Sequence, residues 1–275
     1  DENSGLPSVK EVFDTTPYTI LVVDDNPDMT DFLKRTFEGY FKRIIIAGDG
    51  VEALQLVRSH VPDIIVSDVM MPRMNGYELC KTIKEDIAIS HIPVILLTAK
   101  DDKQSLISGY KIGAAGYLSK PFEVEMLMEL IRNRLKNREY TKKRYLNAGL
   151  IPTPEESTIS LTDETFLIKL NSIIQENIDN TNLGIQFICQ EVGLGRSSLY
   201  NKLKALTGMG ANEYISKLRI EKAITLISGT DMPFSEIAEK TGFTTPSYFS
   251  TTFKQYTGET PSQYKERKKK GLTDQ

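Results

Sequence analysis

The chain has 275 residues, 40% of them hydrophobic and 26% charged, with no Trp and a formal net charge of −3. This length predicts two domains, each large enough for its own core. No apolar run approaches the roughly 18 residues of a membrane span, and Cys80 and Cys189 stand far apart without metal-ligand companions, so a membrane-spanning core, a disulfide framework and a zinc site are not expected.

Two lone cysteines fit a reducing compartment, the cytoplasm. Residues 1–17 read as the remnant of a linker: Asp1-Glu2-Asn3-Ser4-Gly5 carries neither an initiating Met nor a signal peptide, as expected of a segment from a longer polypeptide. Charge is unevenly spread. Lys plus Arg against Asp plus Glu stands at 16 to 21 over residues 1–137 (net −5) and at 14 to 12 over 164–275 (net +2). An acidic first half beside a mildly basic second half, ending in Lys265-Glu266-Arg267-Lys268-Lys269-Lys270, fits a polyanion as partner of the second half only, and the basic tail fits a solvated helix end equally well.

From residue 18 the pattern alternates. Short β-rich apolar runs recur at Thr19 to Val23, Arg43 to Ala47, Asp63 to Ser67, Pro93 to Leu97 and Gly116 to Leu118. Between and after them lie stretches with helical spacing, such as Met29, Phe32, Leu33 and Phe37, then Ala53, Leu54 and Val57, and later Met126, Leu127, Leu130 and Ile131. This alternation predicts a five-stranded parallel sheet with helices on both faces. In such sheets ligand chemistry gathers at the carboxyl ends of the strands. The first strand runs into Asp24-Asp25, the third into Asp68, the fourth into Thr98-Ala99, and the fifth into Ser119-Lys120-Pro121.

The run IIVSDVMMPRMNG over 64–76 makes the point sharply, because an apolar strand that delivers an unpartnered carboxylate is costly. Three carboxylates at one sheet edge repel unless a cation sits among them, and Mg²⁺, which prefers oxygen ligands and keeps several waters or phosphate oxygens, suits the task. Asp68 is then a candidate nucleophile toward a phosphoryl group, with Thr98 and Lys120 to hold the phosphoryl oxygens. Each residue taken alone also has an ordinary reading: Asp25 as a helix N-cap, Lys120 as a surface lysine, Thr98 as a β-favoured filler. Their joint placement at strand ends favours the site.

With these residues on the page, 18–137 resembles the response-regulator receiver domain, a flavodoxin-like α/β fold. The features that carry the likeness are Asp24-Asp25, SDVMMPRMNG around Asp68, LLTAK at 96–100 and GYLSKPF at 116–122. The resemblance implies Asp68 as phosphoacceptor. It implies a Mg²⁺ site from Asp25 directly, Asp24 partly through water, Asp68, and the main-chain carbonyl of Met70. Thr98 and Lys120 match the switch hydroxyl and the phosphoryl-contacting lysine, Tyr117 the aromatic whose rotamer follows phosphorylation, and Lys120-Pro121 a cis bond. A dehalogenase-type phosphatase would need a second acid two residues past Asp68, where Met70 stands.

Residues 138–163 hold Gly149, Pro152, Pro154 and Ser157-Thr158, with little sustained periodicity after Leu150, and read as a linker opened by the frayed end of the preceding helix. Thr162-Asp163-Glu164-Thr165 offers a helix start ahead of Phe166, Leu167, Leu170, Ile173 and Ile174. Two later stretches repeat: Ile188 to Gly208 and Ile237 to Gly258, with Gly193 and Gly242 at their turns. Leu199, Leu203 and Leu206 correspond to Phe249, Phe253 and Tyr256, so each copy is expected to bury one helical stripe and expose the other. A helix, a glycine turn and a second helix with a small, polar outer face is the helix-turn-helix pattern; one copy alone would fit a packing hairpin as well, and two copies favour DNA reading.

Residues 164–270 are similar to the DNA-binding domain of the AraC family, most of all in Gly242-Phe243, Tyr248-Phe249, Phe253-Lys254 and Pro261-Ser262-Gln263-Tyr264; 271–275 is a tail. Positions Arg196, Ser197, Tyr200, Asn201 and Lys204 would face DNA from the first reading helix, and Pro246, Ser247, Ser250 and Thr251 from the second. Few long basic side chains stand in that second helix, which leaves it phosphate and shape contact more than base reading.

Together these resemblances imply a phosphorylation-controlled transcription regulator. Its expected partners are a histidine kinase, covalently fused upstream if the chain ends a hybrid sensor, double-stranded DNA, a second copy on phosphorylation, and RNA polymerase. It is not an enzyme beyond its own phosphotransfer and dephosphorylation. The location is the cytoplasm, or the cytoplasmic side of the inner membrane for a hybrid sensor. The alternative is a receiver that docks without phosphorylation, joined to a DNA- or protein-binding helical domain.

Overall fold

Five short apolar segments pair in parallel in a computed structural model that describes residues 12–99, 112–147 and 160–271. They are β1 (Thr19–Val23), β2 (Arg43–Ala47), β3 (Ile64–Asp68), β4 (Val94–Ala99) and β5 (Gly116–Lys120), in the spatial order β2-β1-β3-β4-β5. Each begins and ends within two residues of its expected place. Val23 lies opposite Ser67, Asp68 opposite Leu97 and Ala99 opposite Lys120, so the carboxyl ends of these strands share one edge of the sheet.

Helices α1 (Pro27–Phe37), α2 (Gly50–His60), α3 (Gly76–Glu85) and α4 (Val124–Asn147) follow β1, β2, β3 and β5. The period of two along each strand divides the core. Leu21, Val23, Ile65 and Leu96 pack with Ala53, Val57, Leu79 and Ile83 of α2 and α3 on one face. Ile20, Val22, Ile64, Val66, Ile95 and Leu97 pack with Leu33 and Phe37 of α1 and Leu127 and Ile131 of α4 on the other. Strands buried on both faces read as continuous apolar runs, which is why these segments stood out in the sequence. The helix starts are set by side chains: Asn26 accepts from Asp28 N, Asp49 from Val51 N and Glu52 N, and Asn75 forms a reciprocal capping box with Glu78.

The chain divides into two compact units, residues 1–140 and 141–275. Helix occupies both ends of the stretch expected as a linker. α4 runs on to Asn147, and Arg138 donates from Nη1 to the carbonyl and carboxylate of Asp63 at 3.0 and 3.2 Å. Among the described residues of α4 beyond Arg138, Tyr145 alone is deeply buried, too sparse a pattern to leave an apolar stripe. Parts of the expected linker and tails, 1–11, 148–159 and 272–275, lie outside the described residues, as do 100–111 with Lys100.

The second unit is helical: α5 (Leu161–Glu176), α6 (Ile185–Val192), α7 (Arg196–Thr207), α8 (Ala211–Gly229), α9 (Phe234–Lys240), α10 (Pro246–Thr257) and α11 (Pro261–Lys269). The repeat is visible as α6-turn-α7 and α9-turn-α10, joined by α8. Gly193 and Gly242 sit at the turns with φ of +73° and +71°, and Gly208 and Gly258 end the second helix of each pair at +76° and +81°. Those left-handed angles are where glycine is favoured. Leu199, Leu203 and Leu206 are buried, as are Phe249 and Phe253. Tyr256 departs from the expected stripe: it is 36% exposed, and its phenol donates to the Glu213 carbonyl at 2.9 Å, because a tyrosine hydroxyl needs a polar partner that the apolar stripe lacks.

Candidate functional site

The edge formed by the strand ends gathers a charged cluster. Asp24 follows β1, Asp68 ends β3, and Asp24, Asp25 and Asp68 have carboxylate oxygens within 4.8 Å of one another. Asp24 and Asp68 are buried and Asp25 is exposed. Lys120, the last residue of β5, places its ammonium 2.8 Å from Asp24 Oδ2 and 2.8 Å from Asp68 Oδ1. The order β1-β3-β4-β5 carries that lysine across the sheet, and the Lys120-Pro121 peptide is cis.

The remaining expected residues lie on or just after β3, β4 and β5. Thr98 is buried near the end of β4, opposite Ser119 and on the strand beside Asp68. Tyr117 stands half-buried on β5, opposite Leu96 and packed against the α2/α3 face. Met70 follows β3, two residues past Asp68, and is 72% exposed.

Electrostatics set the character of the cluster. Burial raises the pKa of the Asp68 carboxyl; the Lys120 ammonium opposes this and neighbouring Asp24 adds to it. Burial alone would lower Lys120, but its bonds to Asp24 and Asp68 hold it above its ordinary value. Three carboxylates facing one ammonium leave two negative charges uncompensated. An all-oxygen donor set with that charge suits a hard divalent cation and not a thiophilic one.

The loop after β3 is pinned at several points, some of which sequence reasoning missed. Gly76 N donates to Val69 O at 2.9 Å, and a Cβ at Gly76 would overlap the Asp68 carbonyl, so only glycine lets α3 start there. Arg73, at φ +64°, pairs with Asp49 at the head of α2, and Gly50 N donates to Met74 O at 3.2 Å. The glycine was readable from MNG; the Arg73–Asp49 pair was not, since a capping aspartate has no sequence mark for a partner 24 residues away.

In the second unit the nine residues expected to face DNA fall on the outer sides of α7 and α10. Arg196, Ser197, Tyr200 and Lys204 are exposed and Asn201 is half-exposed; Pro246, Ser247 and Thr251 are exposed and Ser250 is half-exposed. Arg196 is also hydrogen-bonded to Gln186 of α6 at 3.2 Å, and Thr251 Oγ1 to the Ser247 carbonyl at 3.1 Å. One residue was overlooked. Lys254 is exposed on the same side of α10, one turn beyond Ser250, and in the repeat it corresponds to Lys204, so the 50-residue offset was signal enough to find it.

Comparison with known proteins agrees with both halves. The model of the response regulator receiver domain matches residues 20–132, and that of a helix-turn-helix domain matches 188–267. The response regulator MprA of Mycobacterium sp. (strain KMS) is 36% identical over 165 residues, covering 55% of this chain and 70% of that protein. The chain belongs to the response regulators. In this response regulator a receiver domain is joined to an AraC-type helix-turn-helix domain, the composition of a two-component, DNA-binding transcription regulator. The probable transcriptional regulator ycf29 of Pyropia yezoensis is 29% identical over 207 residues, 71% of this chain and 93% of that protein. Histidine kinase P4 of Formosa agariphila is 41% identical over 249 residues, 90% of this chain. The response regulator chain spans only 18% of that kinase's length.

Proposed function

We propose that this chain is a phosphorylation-controlled transcription regulator that accepts a phosphoryl group on Asp68 from a histidine kinase. The observation that carries the reading is the Lys120 ammonium shared at 2.8 Å between Asp24 and Asp68, at the shared edge formed by the ends of β1, β3 and β5. Asp24, Asp25, Asp68 and the Met70 carbonyl would hold Mg²⁺, which when bound supplies charge neutralisation for the carboxylates and the incoming phosphoryl oxygens.

The chain's own residues do the rest. A carboxylate oxygen of Asp68 attacks the phosphorus of a phosphohistidine; the O–P bond forms as the P–N bond breaks, and the imidazole leaves with its electron pair. Lys120 moves its hydrogen bond from the Asp68 carboxylate to a phosphoryl oxygen, and Thr98 donates its hydroxyl to another. Tyr117 follows Thr98 inward, changing the receiver surface so that two copies pair. Pairing strengthens DNA binding by raising effective concentration, without a new base contact.

The same reading makes double-stranded DNA the target of α7 and α10, with RNA polymerase as the downstream partner. It places the work in the cytoplasm, where that DNA is. The 41% identity to a histidine kinase over 90% of this chain favours a kinase covalently attached upstream, which would hold these residues at the cytoplasmic side of the inner membrane. The domain limits that go with it are a receiver over 18–137, a connector over 138–163 and a DNA-binding part over 164–270.

The test is incubation with acetyl phosphate and Mg²⁺ followed by intact mass measurement. One hydroxylamine-labile phosphoryl group is expected on the wild type and none on Asp68→Asn; equal labelling of the variant would overturn the assignment.

A further inference from the structure

Arg219 lies in the middle of α8, the helix that joins the two helix-turn-helix copies, and is 9% exposed. Its Nε donates to the Ile178 carbonyl at 3.2 Å and its Nη2 to the Asn180 carbonyl at 2.7 Å. Both carbonyls lie in the turns just past the end of α5, and that of Asn180 also accepts from Leu183 N at 3.0 Å. Among the described residues no carboxylate pairs with this guanidinium. A buried cation held only by carbonyls is an expensive choice for mere packing, and the planar fork of arginine bridges two acceptors in a way a lysine ammonium on its flexible stem does not.

The other side of the guanidinium meets the second copy. Its Cζ is 6.0 Å from the centre of the Phe243 ring. The preceding residue, Gly242, sits so close that a Cβ there would lie 2.7 Å from Arg219 Nη2 and overlap the Ile178 carbonyl. Phe243 packs in turn on Phe249 of α10, with ring centres 5.3 Å apart. On the first side, α5 is tied to α7 by Lys202 and Asp163, a fully buried pair at 2.5 Å. An unbroken set of packed contacts therefore runs from α7 through Lys202, Asp163, α5 and Arg219 to Phe243, Phe249 and α10.

We propose that Arg219 is the positioning residue that fixes α7 and α10 relative to each other, and so sets the spacing between the two DNA segments that one chain recognises. The inference rests on the reading that both helices face DNA. Two such segments are expected about one helical turn, ~34 Å, apart. Because Arg219 touches neither reading face, replacing it alters the distance and angle between them without altering what each helix presents.

The test is selection of binding sites from random-sequence duplex DNA by this 275-residue chain and by its Arg219→Lys and Arg219→Met variants, with far-UV circular dichroism as the folding control. The wild type is expected to select two short segments at one spacing and to prefer it by about tenfold over duplexes one base pair longer or shorter. In the folded variants the same two segments are expected with that preference reduced to about twofold or less, and with binding to either isolated segment unchanged. Folded variants that keep the wild-type spacing preference would overturn the proposal. So would failure of both variants to fold, since Arg219 would then hold the unit together instead of setting a distance. A wild type that selects a single segment would overturn the two-helix reading itself, a distinguishable result.

Discussion

Glu221 on α8 shows how burial acts on a single group. Burial pushes its carboxyl up to about 7 from an ordinary 4.5, while the Lys217 ammonium 4.0 Å away pulls it down. Between those values the folded chain keeps a proton that the unfolded chain has released, so this group's contribution to stability is lost as pH rises from about 4.5 to about 7. Glu221→Gln is expected to flatten that part of the stability curve and to make the chain more stable at neutral pH, measured by urea denaturation at a series of pH values. An unchanged slope would show that the carboxyl is not perturbed.

Residues differ in how far the sequence reveals them. The places of Asp24, Asp25, Asp68, Thr98 and Lys120 at or beside strand ends were legible because each follows or closes an apolar run. Lys202 and Asp163 were not. In the sequence Lys202 is one more cation in a helical pattern, yet it is wholly buried, donates to Asp163 and lies 5.0 Å from the centre of the Phe166 ring. Periodicity counts apolar positions and is blind to a charge that finds its partner 39 residues away.

At the scale of elements the two turns of the repeat look alike in sequence but not in surroundings. Gly193 and Gly242 share a left-handed φ, but a Cβ at Gly193 meets nothing within 4 Å whereas one at Gly242 meets Ile178 and Arg219. Gly193→Ala should cost about 1–2 kcal/mol, the ordinary penalty of that backbone region. Gly242→Ala should cost a further ~1–3 kcal/mol for the overlap. Equal midpoint shifts for the two variants in urea would contradict this packing. Strand ends were otherwise legible to within two residues and helices by the place of their stripes, because both-face burial and 3.6-residue periodicity leave strong patterns. The last turns of α4 were not, since beyond Arg138 that helix buries little besides Tyr145.

At the scale of the molecule charge is partitioned: the first half is acidic, and the exposed cations expected to meet DNA, Arg196, Lys204 and Lys254, all lie in the second. If Lys204 and Lys254 each neutralise a phosphate, replacing either by alanine should make the slope of log affinity against log salt shallower by about 0.9. Affinity should fall alike for all DNA sequences; a loss confined to one base position would instead make that lysine a base reader.

If the chemistry of Asp68 governs DNA binding by the helical unit, the affinity of the chain for its selected duplex should depend on the phosphodonor. The decisive measurement is that affinity with and without acetyl phosphate and Mg²⁺, in the wild type and in Asp68→Asn. A coupling of the usual size for such switches predicts a rise of about tenfold in the wild type on phosphorylation and no change in the variant. Equal affinities with and without the phosphodonor in a wild type shown by mass to be phosphorylated would contradict the account.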